Sequence, residues 1–373
     1  MSSPATFQGP EPRLTLAHDY LLVMRGAERT FAAMADLYPG APIFTLLYDE
    51  TGTFGRFGEH SVTSSSLQRL GVSQRNFRRL LPFYQGAVRR LKLPASDVVL
   101  TSSSAFAHGV SVPEGAIHIC YCHAPFRYAW TEQARALSEV PAPLRPVLRL
   151  QLARMRERDL AASRGVDSYI ANARVTQERI KSFYGRDSTL IHPPVETHRF
   201  SPGQPGDALL VVSELVAHKR VNIALEAASR ANVPIEVVGS GPDHAALCQA
   251  YPRARFLGRA SDQELVERYA SARAVIVPAI EEFGITAVEA QAAGRPVIAA
   301  GAGGALETVL PGDTGLLARP DDVDSFAEAI RKLAALDLDP ARAVQNAARF
   351  SVESFRQKLS RHVDSLVQRR GAR

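Results

Sequence analysis

The chain is built around the stretch Ala279-Ile280-Glu281-Glu282-Phe283-Gly284-Ile285-Thr286-Ala287-Val288-Glu289. An apolar run at residues 274–277 precedes it, and its β-branched composition predicts a buried parallel strand. Helix-forming residues follow at 286–293, and they end at Gly294, a residue type common at helix C-termini. The stretch therefore predicts a strand-to-helix connection, with Glu281 in the loop and Glu289 about one turn inside the helix.

Phe283 and Gly284 fall at the predicted N-terminus of this helix. Free backbone N–H groups and the positive end of the helix dipole favour an anion there. Glycine also removes the Cβ that would keep a ligand away from the backbone. Two carboxylates that flank such a position suit a ligand with hydroxyls at both ends and phosphate between them, such as a nucleotide-sugar. The alternative is a plain helix with a surface glutamate after a loop, because short motifs produce false positives.

Length and composition indicate an ordinary globular protein. The 373 residues suggest two domains. A content of 46% hydrophobic and 22% charged residues supplies ample material for their cores. The net charge of +6 and the pI of about 9.4 suit an anionic partner. The charge is too diffuse to indicate nucleic acid, so we predict no nucleic-acid partner.

The sequence gives no sign of a targeting or membrane-spanning segment. Residues 1–12 lack the charged and apolar regions of a signal peptide. No apolar run approaches the roughly 18 residues that a bilayer requires. The three cysteines cannot form a disulfide framework, and Cys120 and Cys122 lack the further Cys ligands of a zinc site. We therefore expect a cytoplasmic protein in a reducing compartment.

Two predicted strand ends in the first half carry candidate residues. Residues 14–20 predict a strand that leads through Gly26 to a helix at 30–37. Residues 117–122 predict another strand, directly followed by His123. Open α/β sheets bind ligands at the carboxyl ends of their strands, which gives His123 a functional interpretation. The alternatives are an ordinary tight turn at Gly26 and a structural histidine at 123.

The segment from His60 to Ser96 contains seven Arg or Lys residues and no Asp or Glu. Bulky apolar residues are interleaved with arginines at 77–84 and again at 88–93. That pattern suits an amphipathic surface on anionic lipid, which would place the protein peripherally on the inner face of a membrane. The alternative is a solvated basic face whose apolar side packs inward.

The second half alternates strands and helices cleanly, which predicts a parallel sheet with helices on both faces. A Pro/Gly-rich linker at 201–206 places the domains at 1–200 and 206–351. The predicted strands of the second domain are 208–212, 235–238, 254–257, 274–277 and 297–299. Gly239 and Gly241 follow one of these strands, but the third glycine of a dinucleotide fingerprint is replaced by His244. A nicotinamide-dependent oxidoreductase is therefore poorly supported.

Residues 279–289 resemble the paired-glutamate motif of the retaining glycosyltransferases of family 4, which have the GT-B fold. Residues 123–130 resemble a histidine–proline–arginine–tyrosine segment of one branch, which contains mannosyltransferases of bacterial polysaccharide assembly. The resemblance covers nearly the whole chain. It implies an α/β architecture of two Rossmann-like domains whose parallel sheets face each other across a cleft. It also implies a C-terminal helix, at about 352–373, that crosses back to the N-terminal domain.

The resemblance gives roles to individual residues. It puts Glu281 on the hydroxyls of the donor sugar and Glu289 on the ribose. It puts His123 near the reacting carbon and Lys219 on the diphosphate, so that His123, Glu281 and Lys219 would be the catalytic residues. The other substrate-binding positions that it implies are Gly26, Arg127, Tyr128, Arg220, Gly258, Arg259, Phe283, Gly284, Ile285, Gly303 and Gly304.

Two positions depart from the family pattern. Ala27 stands where a second glycine is common, and its methyl group narrows the approach of a ligand to the backbone. Glu214 stands where an arginine is common, and an acid cannot bind phosphate directly. Either Arg220 supplies the missing charge, or Glu214 orients Lys219.

These roles imply a retaining transfer of a hexose from a nucleotide diphosphate to an acceptor hydroxyl. GDP-mannose is the first choice of donor from the branch resemblance, and UDP-hexoses are the second. The acceptor would be a saccharide or a lipid-linked saccharide in glycan assembly. The chain lacks an obvious Asp-x-Asp site, which predicts that transfer needs no metal and no other cofactor. The alternative is a non-catalytic nucleotide-sugar-binding subunit, with Glu214 as the sign of lost activity.

Overall fold

The computed structural model describes residues 12–71, 76–333, 335–336 and 338–371. The side chains of Arg78 and Arg79 lie outside this description. The chain divides into two compact units. The first comprises Met1–Asn172, Thr176–Ile191 and Arg356–Arg373, and the second comprises Ala173–Val175 and His192–Phe355.

The second unit begins before the linker that the sequence suggested as the boundary. Residues 192–200 belong to it, because the N–H of Val195 donates to the carbonyl of Phe350 at 2.9 Å. Phe200 also packs edge-on against Tyr269, with 5.3 Å between the ring centroids. These contacts join residues far apart in sequence, so the composition of the linker alone does not reveal them.

The first unit is a parallel sheet of seven strands with helices in the connections. Its strands are β1 (Leu14–Leu21), β2 (Ile43–Tyr48), β3 (Val62–Ser64), β4 (Val98–Ser103), β5 (Ile117–Cys122), β6 (Ser168–Ala171) and β7 (Ser188–Leu190). Its helices are α1 (Gly26–Leu37), α2 (Leu81–Arg89), α3 (Arg127–Trp130), α4 (Gln133–Ser138), α5 (Arg145–Ser163) and α6 (Arg174–Tyr184). The strand order β3-β2-β1-β4-β5-β6-β7 makes β4 the neighbour of both β1 and β5. The loops after these three strands therefore meet at the carboxyl edge of the sheet.

The second unit is a parallel sheet of six strands in the order β10-β9-β8-β11-β12-β13. The strands are β8 (Leu209–Val212), β9 (Ile235–Val238), β10 (Arg255–Gly258), β11 (Ala274–Val277), β12 (Val297–Ala300) and β13 (Gly315–Ala318). The helices are α7 (Val221–Ala231), α8 (His244–Ala250), α9 (Asp262–Ser271), α10 (Ile285–Ala292), α11 (Ala305–Thr308), α12 (Val323–Leu333) and α13 (Pro340–Ala348). The last helix, α14 (Val352–Gly371), starts in the second unit and belongs to the first from Arg356 onward.

Alternate residues of the second sheet face two separate apolar cores. Leu209, Val211 and Ile276 lie in one core. Leu210 and Val275 lie in the other. A strand that is buried on both faces needs the continuous apolar composition found at 274–277. The predicted two-domain Rossmann-like architecture is thus confirmed.

The strands that the sequence missed are short and lie at sheet edges. β3, β7 and β13 each end a sheet, and they have three or four residues. Edge strands are partly exposed, so they lack a strong apolar signal. The first helix also differs from its prediction. α1 begins at Gly26 rather than at Thr30, because Glu28 accepts a hydrogen bond from the N–H of Arg25 and closes the first turn.

The basic segment from His60 to Ser96 folds with part of its apolar side inward. Tyr84, Val88 and Leu91 are buried in a core of the first unit. Leu70 and Phe83 are exceptions among the described residues, since they are 63% and 59% exposed. In the described part of the chain, no helix combines the length and apolar composition that a bilayer crossing requires.

Candidate functional site

β11 and α10 form the predicted strand-to-helix connection. β11 ends at Val277, and α10 begins at Ile285 with Gly284 as its N-cap residue. Gly284 has a φ of +85°, a left-handed conformation that glycine adopts without the Cβ penalty. Phe283, Gly284 and Ile285 thus stand at the free N–H end of an eight-residue helix, where the sequence predicted an anion site.

Glu281 forms an ion pair with Lys219. The Nζ of Lys219 lies 2.5 Å from Oε1 of Glu281, and the two side chains are 26% and 29% exposed. Lys219 ends a 3₁₀ turn after β8, whereas Glu281 follows β11. β8 and β11 are neighbours in the sheet, so their exit loops meet. The residue predicted to bind the diphosphate and the residue predicted to bind the sugar hydroxyls are therefore in direct contact.

Arg220 pairs with another acid, and Glu214 does not contact Lys219. Arg220 is in the left-handed conformation, with a φ of 55°, and it caps α7. Its Nε lies 2.9 Å from Oδ1 of Asp321, in an ion pair about half exposed on each side. The carboxylate of Glu214 is exposed and has no hydrogen-bond or ion-pair partner among the described residues. The suggestion that Glu214 orients Lys219 is therefore wrong, since Lys219 is held by Glu281 instead.

The side chain of Phe283 anchors the motif loop to the core. It is 4% exposed and lies 5.5 Å from the ring of His192 and 5.4 Å from that of Phe350. The aromatic ring therefore faces inward, and only the backbone of Phe283 is available to a ligand. This agrees with a backbone role at that position.

Gly303 and Gly304 let a second loop pack against the motif loop. The N–H of Gly304 donates to the carbonyl of Glu281 at 2.8 Å. A Cβ added at Gly303 would collide with that same carbonyl oxygen, and one added at Gly304 would collide with the backbone of Phe283. The glycines are therefore needed for loop packing. The predicted contact of this loop with the donor remains a prediction.

Glu289 lies on α10, and a buried tyrosine holds it. The hydroxyl of Tyr269 donates to Oε2 of Glu289 at 2.8 Å. Burial, and then the charge of Glu289, raise the pKa of Tyr269 well above its ordinary value, so this hydroxyl stays a donor. The contact orients the carboxylate that the sequence assigned to the ribose.

Gly258 and Arg259 end β10 on the second sheet. Gly258 has a φ of +69°, and a Cβ added there would meet no other atom. Arg259 is exposed, and its Nε donates to Oγ of Ser240 at 2.9 Å. The loop after β10, which the resemblance assigns to the nucleotide base, is thus tied to the loop after β9.

Glu307 is a buried acid that the sequence did not single out. Its side chain is 7% exposed, and Oε2 lies 2.8 Å from Nε2 of His192. Oε1 accepts the backbone N–H of Arg174 at 2.8 Å. Because His192 also contacts the ring of Phe283, Glu307 is linked to the motif loop through His192. The only sequence signal was its place in the loop-to-helix segment 301–308.

In the first unit, His123 belongs to a buried hydrogen-bonded row with Ser102 and His18. Nε2 of His123 lies 2.9 Å from Oγ of Ser102, and that oxygen lies 3.0 Å from Nδ1 of His18. A serine hydroxyl carries one proton, so at least one of the two histidines donates to it. β1, β4 and β5 each supply one member, which follows from the strand order.

The two histidines of this row are neutral at neutral pH. Burial, then the charges of His18 and Arg127, lower the pKa of His123 to about 3. Burial likewise lowers the pKa of His18 to about 4. His123 can therefore offer hydrogen bonds but not a positive charge. The strand-end rule that found His123 also applies to His18 and Ser102, although the sequence did not single them out.

Asp19 organises the loop after β4. Its two oxygens accept four backbone N–H groups, from Ser104, Ala105, Phe106 and Ala107, at 2.5–2.9 Å. The side chain is 3% exposed, and these donors compensate its buried charge. Sequence reasoning missed this role because the four donors carry no side-chain signature.

Gly26, Arg127 and Tyr128 occupy helix starts near this edge of the sheet. Gly26 opens α1 without a positive φ, so its backbone conformation does not require glycine. Arg127 opens α3 and is exposed, whereas Tyr128 packs against a core.

Burial raises the pKa of Glu28, in the first turn of α1, to about 7. A carboxyl with that pKa is a group that sequence patterns do not reveal.

No metal-binding cluster of three His, Cys, Asp or Glu side chains occurs among the described residues. Independence of metal remains a prediction, because a donor diphosphate can itself bring a cation.

The second unit is similar to a known protein family. Residues 195–350 fit the family described as Glycosyl transferases group 1. This region contains Lys219, Glu281 and Glu289, together with the loops around them.

Two relatives of known name align with about half of the chain. The D-inositol 3-phosphate glycosyltransferase of Mycolicibacterium smegmatis is 31% identical over 217 residues, which are 50% of each chain. The GDP-mannose-dependent monoacylated alpha-(1-6)-phosphatidylinositol monomannoside mannosyltransferase of Corynebacterium glutamicum is 32% identical over 217 residues. These are 49% of this chain and 56% of that relative. The chain thus spans about half the length of the curated relatives it matches.

Solved structures share the fold across both units. Anabaena Alr3699/HepE in complex with UDP has a TM-score of 0.68 at 17% identity, over 94% of this chain and all of that one. The sucrose-phosphate synthase of Thermosynechococcus elongatus has a TM-score of 0.70 at 18% identity, over 95% and 99% of the two chains. Residues 195–350 are thus similar to the group 1 glycosyltransferases, and the chain shares the fold of these solved structures.

Proposed function

We propose that the protein is a retaining, metal-independent glycosyltransferase that moves a hexose from a nucleotide diphosphate to an acceptor hydroxyl. The observation that carries this proposal is the Lys219–Glu281 pair beside the N-terminus of α10, with Glu289 held on the same helix. The Lys219 cation and the free N–H groups of the helix can bind a diphosphate. The two carboxylates can accept hydrogen bonds from hydroxyl groups on either side of that diphosphate.

The ion pair gives donor binding a defined order of contacts. The diphosphate draws Lys219 away from Glu281, and the released carboxylate accepts hydrogen bonds from the sugar hydroxyls. Lys219 then stabilises the charge that grows on the leaving phosphate as the glycosidic bond breaks. Glu289 contacts the ribose, which does not change during the reaction.

We propose a same-face displacement rather than a covalent sugar–enzyme intermediate. The anomeric carbon loses its bond to the phosphate oxygen and gains one to the acceptor oxygen on the same face. The acceptor proton passes to the leaving phosphate. We assign the released carboxylate of Glu281 to the sugar hydroxyls, so it is not the nucleophile in this proposal. His123, which is neutral, would hydrogen-bond to the donor sugar near the reacting carbon.

GDP-mannose is our first choice of donor, and a UDP-hexose is the second. The name of the Corynebacterium relative supports GDP-mannose. The Anabaena structures with UDP and with UDP-glucose support the second choice at the level of the fold alone.

For the acceptor we propose a saccharide or a lipid-linked saccharide in glycan assembly, reached by a cytoplasmic protein on the inner membrane face. The first unit supports the membrane part through exposed apolar side chains on α2 and near the start of α5. Phe83, Leu144, Val147 and Leu150 are 59%, 55%, 65% and 55% exposed. Basic side chains of the same two helices lie among them.

One experiment tests the catalytic proposal. Nucleotide-sugars are screened for thermal stabilisation of wild type and Glu281→Gln, and turnover is measured with the best donor. A ligand at 100 times its Kd adds about 2.7 kcal/mol to the stability of its target. We expect GDP-mannose to raise the Tm of wild type and to have a smaller effect on the variant. Glu328→Gln is the matched control, since Glu328 pairs with Lys332 at 2.7 Å on α12.

The exposed carboxylate of Glu214 keeps the non-catalytic subunit as a second candidate. Stabilisation by a donor, with neither hydrolysis nor transfer to any acceptor, would favour that candidate. If no nucleotide-sugar raised the Tm, the proposed donor site would be wrong.

A further inference from the structure

A cavity of about 690 Å³ lies between α2 and α5 in the first unit. Pockets for small molecules commonly have volumes of roughly 300–1,000 Å³. None of the residues that we assign to the donor lines this cavity. Its walls are apolar where Val88, Phe106 and Val110 contribute, and they also carry polar side chains, which include three places with unsatisfied groups.

The first polar place is Gln85. This side chain is 8% exposed, and its Nε2 donates to the carbonyl of Met155 at 2.8 Å. Its Oε1 is buried without a hydrogen-bond partner among the described residues. Buried oxygens without partners are rare in folded proteins, because each loses its hydrogen bonds to water. Oε1 of Gln85 is an acceptor for a hydroxyl group of a ligand.

The second polar place is the pair His108 and Asp159. Nε2 of His108 lies 3.2 Å from Oδ1 of Asp159, and the side chains are 5% and 1% exposed. Neither atom completes a well-oriented hydrogen bond. Oδ2 of Asp159 accepts from Trp130 and Tyr184, at 2.7 and 2.8 Å. Nε2 and Oδ1 are thus a donor and an acceptor that one further hydroxyl can bridge.

The third polar place is a pair of arginines. Arg89 on α2 and Arg158 on α5 both line the cavity, and both are exposed. Within the part of the chain that the structure describes, neither guanidinium has a hydrogen bond or an ion pair. Arg90 and Lys92 line an adjoining groove together with Arg89. The exposed part of the cavity lining therefore carries uncompensated positive charge, which suits a phosphate.

We propose that this cavity binds a phosphorylated polyol, with the phosphate on Arg89 and Arg158 and the hydroxyls on Gln85 and the His108–Asp159 pair. The apolar walls contact the carbon skeleton. The ligand is either free in solution or the headgroup of a lipid, since the same groups recognise both. This site is separate from the donor site, and its test is independent of glycosyl transfer.

The experiment measures the affinity of the intact chain for two probes. Glucose 6-phosphate is titrated by calorimetry, and vesicles with phosphatidylglycerol are tested by co-sedimentation against neutral phosphatidylcholine vesicles. We expect saturable binding of glucose 6-phosphate, weakened roughly tenfold or more in Arg158→Ser and in Arg89→Ser. Arg149→Ser is the matched control, because Arg149 is exposed on α5 but does not line the cavity. It should change affinity by about twofold at most.

Gln85→Met is a second probe, which keeps the length of the side chain and removes the buried acceptor. It should weaken binding of glucose 6-phosphate without abolishing the effect of salt on that binding. Vesicle binding that glucose 6-phosphate displaces would identify a lipid headgroup as a further source of the ligand. Failure of both probes to bind wild type would overturn the proposal, as would equal losses in Arg158→Ser and Arg149→Ser. Donor stabilisation by a nucleotide-sugar would be unaffected in either case.

Discussion

The contact between Lys219 and Glu281 is the most informative at the scale of single residues. Each group is about a quarter exposed, so solvent screens the pair and a diphosphate can replace one partner at modest cost. The pair also explains how Lys219 is kept in place while the donor is absent. Glu214, the position where the family commonly has a basic residue, takes no part.

Lys219→Ala should damage turnover more than donor binding, because leaving-group charge grows only as the bond breaks. By analogy with lost oxyanion donors, we expect a loss of about 10²–10³ in kcat, or roughly 3–4 kcal/mol. Glu289→Gln should instead weaken donor affinity more than it lowers turnover at saturation. The measurements are kcat and donor KM, with donor affinity from calorimetry.

Lys332→Ala is the control for this comparison, since Lys332 forms an ion pair with Glu328 on the surface of the same unit. A Lys219→Ala variant that raised only KM would show that Lys219 binds ground state and transition state equally. Arg220 would then be the better candidate for the phosphate anchor.

Buried histidines should make the protein sensitive to acid. Burial is the main cause that lowers the pKa values of His18 and His118 to about 4, and that of His123 to about 3, from 6.5. As pH falls below 6.5, the unfolded chain therefore binds protons before the folded one does. The stability that comes from burying these histidines in their uncharged form is complete above pH 6.5, and it is lost as the pH falls towards 4.

Urea unfolding from pH 7 to pH 4.5 measures this effect. Each of these histidines should contribute a slope of up to about 1.4 kcal/mol per pH unit. His118 is not among the residues assigned to the donor, and His118→Gln should reduce the slope by one such contribution. An unchanged slope would show that His118 is already protonated in the folded state.

At the scale of elements, the site depends on how two loops pack. The loop before α10 is fixed from one side by the ring of Phe283, which contacts His192 and Phe350. From the other side it is fixed by the loop before α11, whose Gly304 donates to Glu281. Neither feature concerns α10 itself, yet both determine where its N-terminus and Glu281 lie.

Gly304→Ala should displace the motif loop, because the added methyl group collides with the backbone of Phe283. Crowding of this kind typically costs about 1–3 kcal/mol of stability. We also expect weaker donor binding. Calorimetric unfolding and donor titration measure the two effects. Gly301→Ala is the control in the same loop, since its nearest neighbour would be 3.3 Å away and a small shift relieves it. Equal behaviour of the two variants would contradict the packing argument.

At the scale of the whole molecule, the proposed reaction relies on protein groups rather than on a metal. Among the described residues, no group of three or more His, Cys, Asp or Glu side chains could hold a metal ion. Transfer should therefore be measured with and without EDTA, and we expect it to survive chelation. A complete loss of activity that added metal restores would show that the prediction is wrong.

Membrane association is the other property that belongs to this scale. The net charge of +6 and the exposed apolar residues of α2 and α5 favour anionic vesicles. Co-sedimentation should fall as salt rises, and it should fall again in Phe83→Ser. Phe54→Ser is the matched control, because Phe54 is 85% exposed in the same unit but outside the basic segment. Equal binding of neutral vesicles by wild type and Phe83→Ser would favour the inward-packed interpretation.

The sequence by itself determined the features that local patterns encode. The apolar run at 274–277 specified β11, and Gly284 specified the start of α10, because strand composition and cap residues act over a few residues. The same local order put Glu281 in a loop and Glu289 on a helix. His123 was found because a strand end is readable from sequence.

The tertiary structure decided which of these residues meet. Lys219 and Glu281 are 62 residues apart, and they touch only because β8 and β11 are neighbours in the sheet. The row of His18, Ser102 and His123 likewise depends on the order of β1, β4 and β5. The cavity beside Gln85 needs α2 and α5 to pack on one face. Such contacts depend on strand order and helix packing, which are long-range properties that no short segment carries.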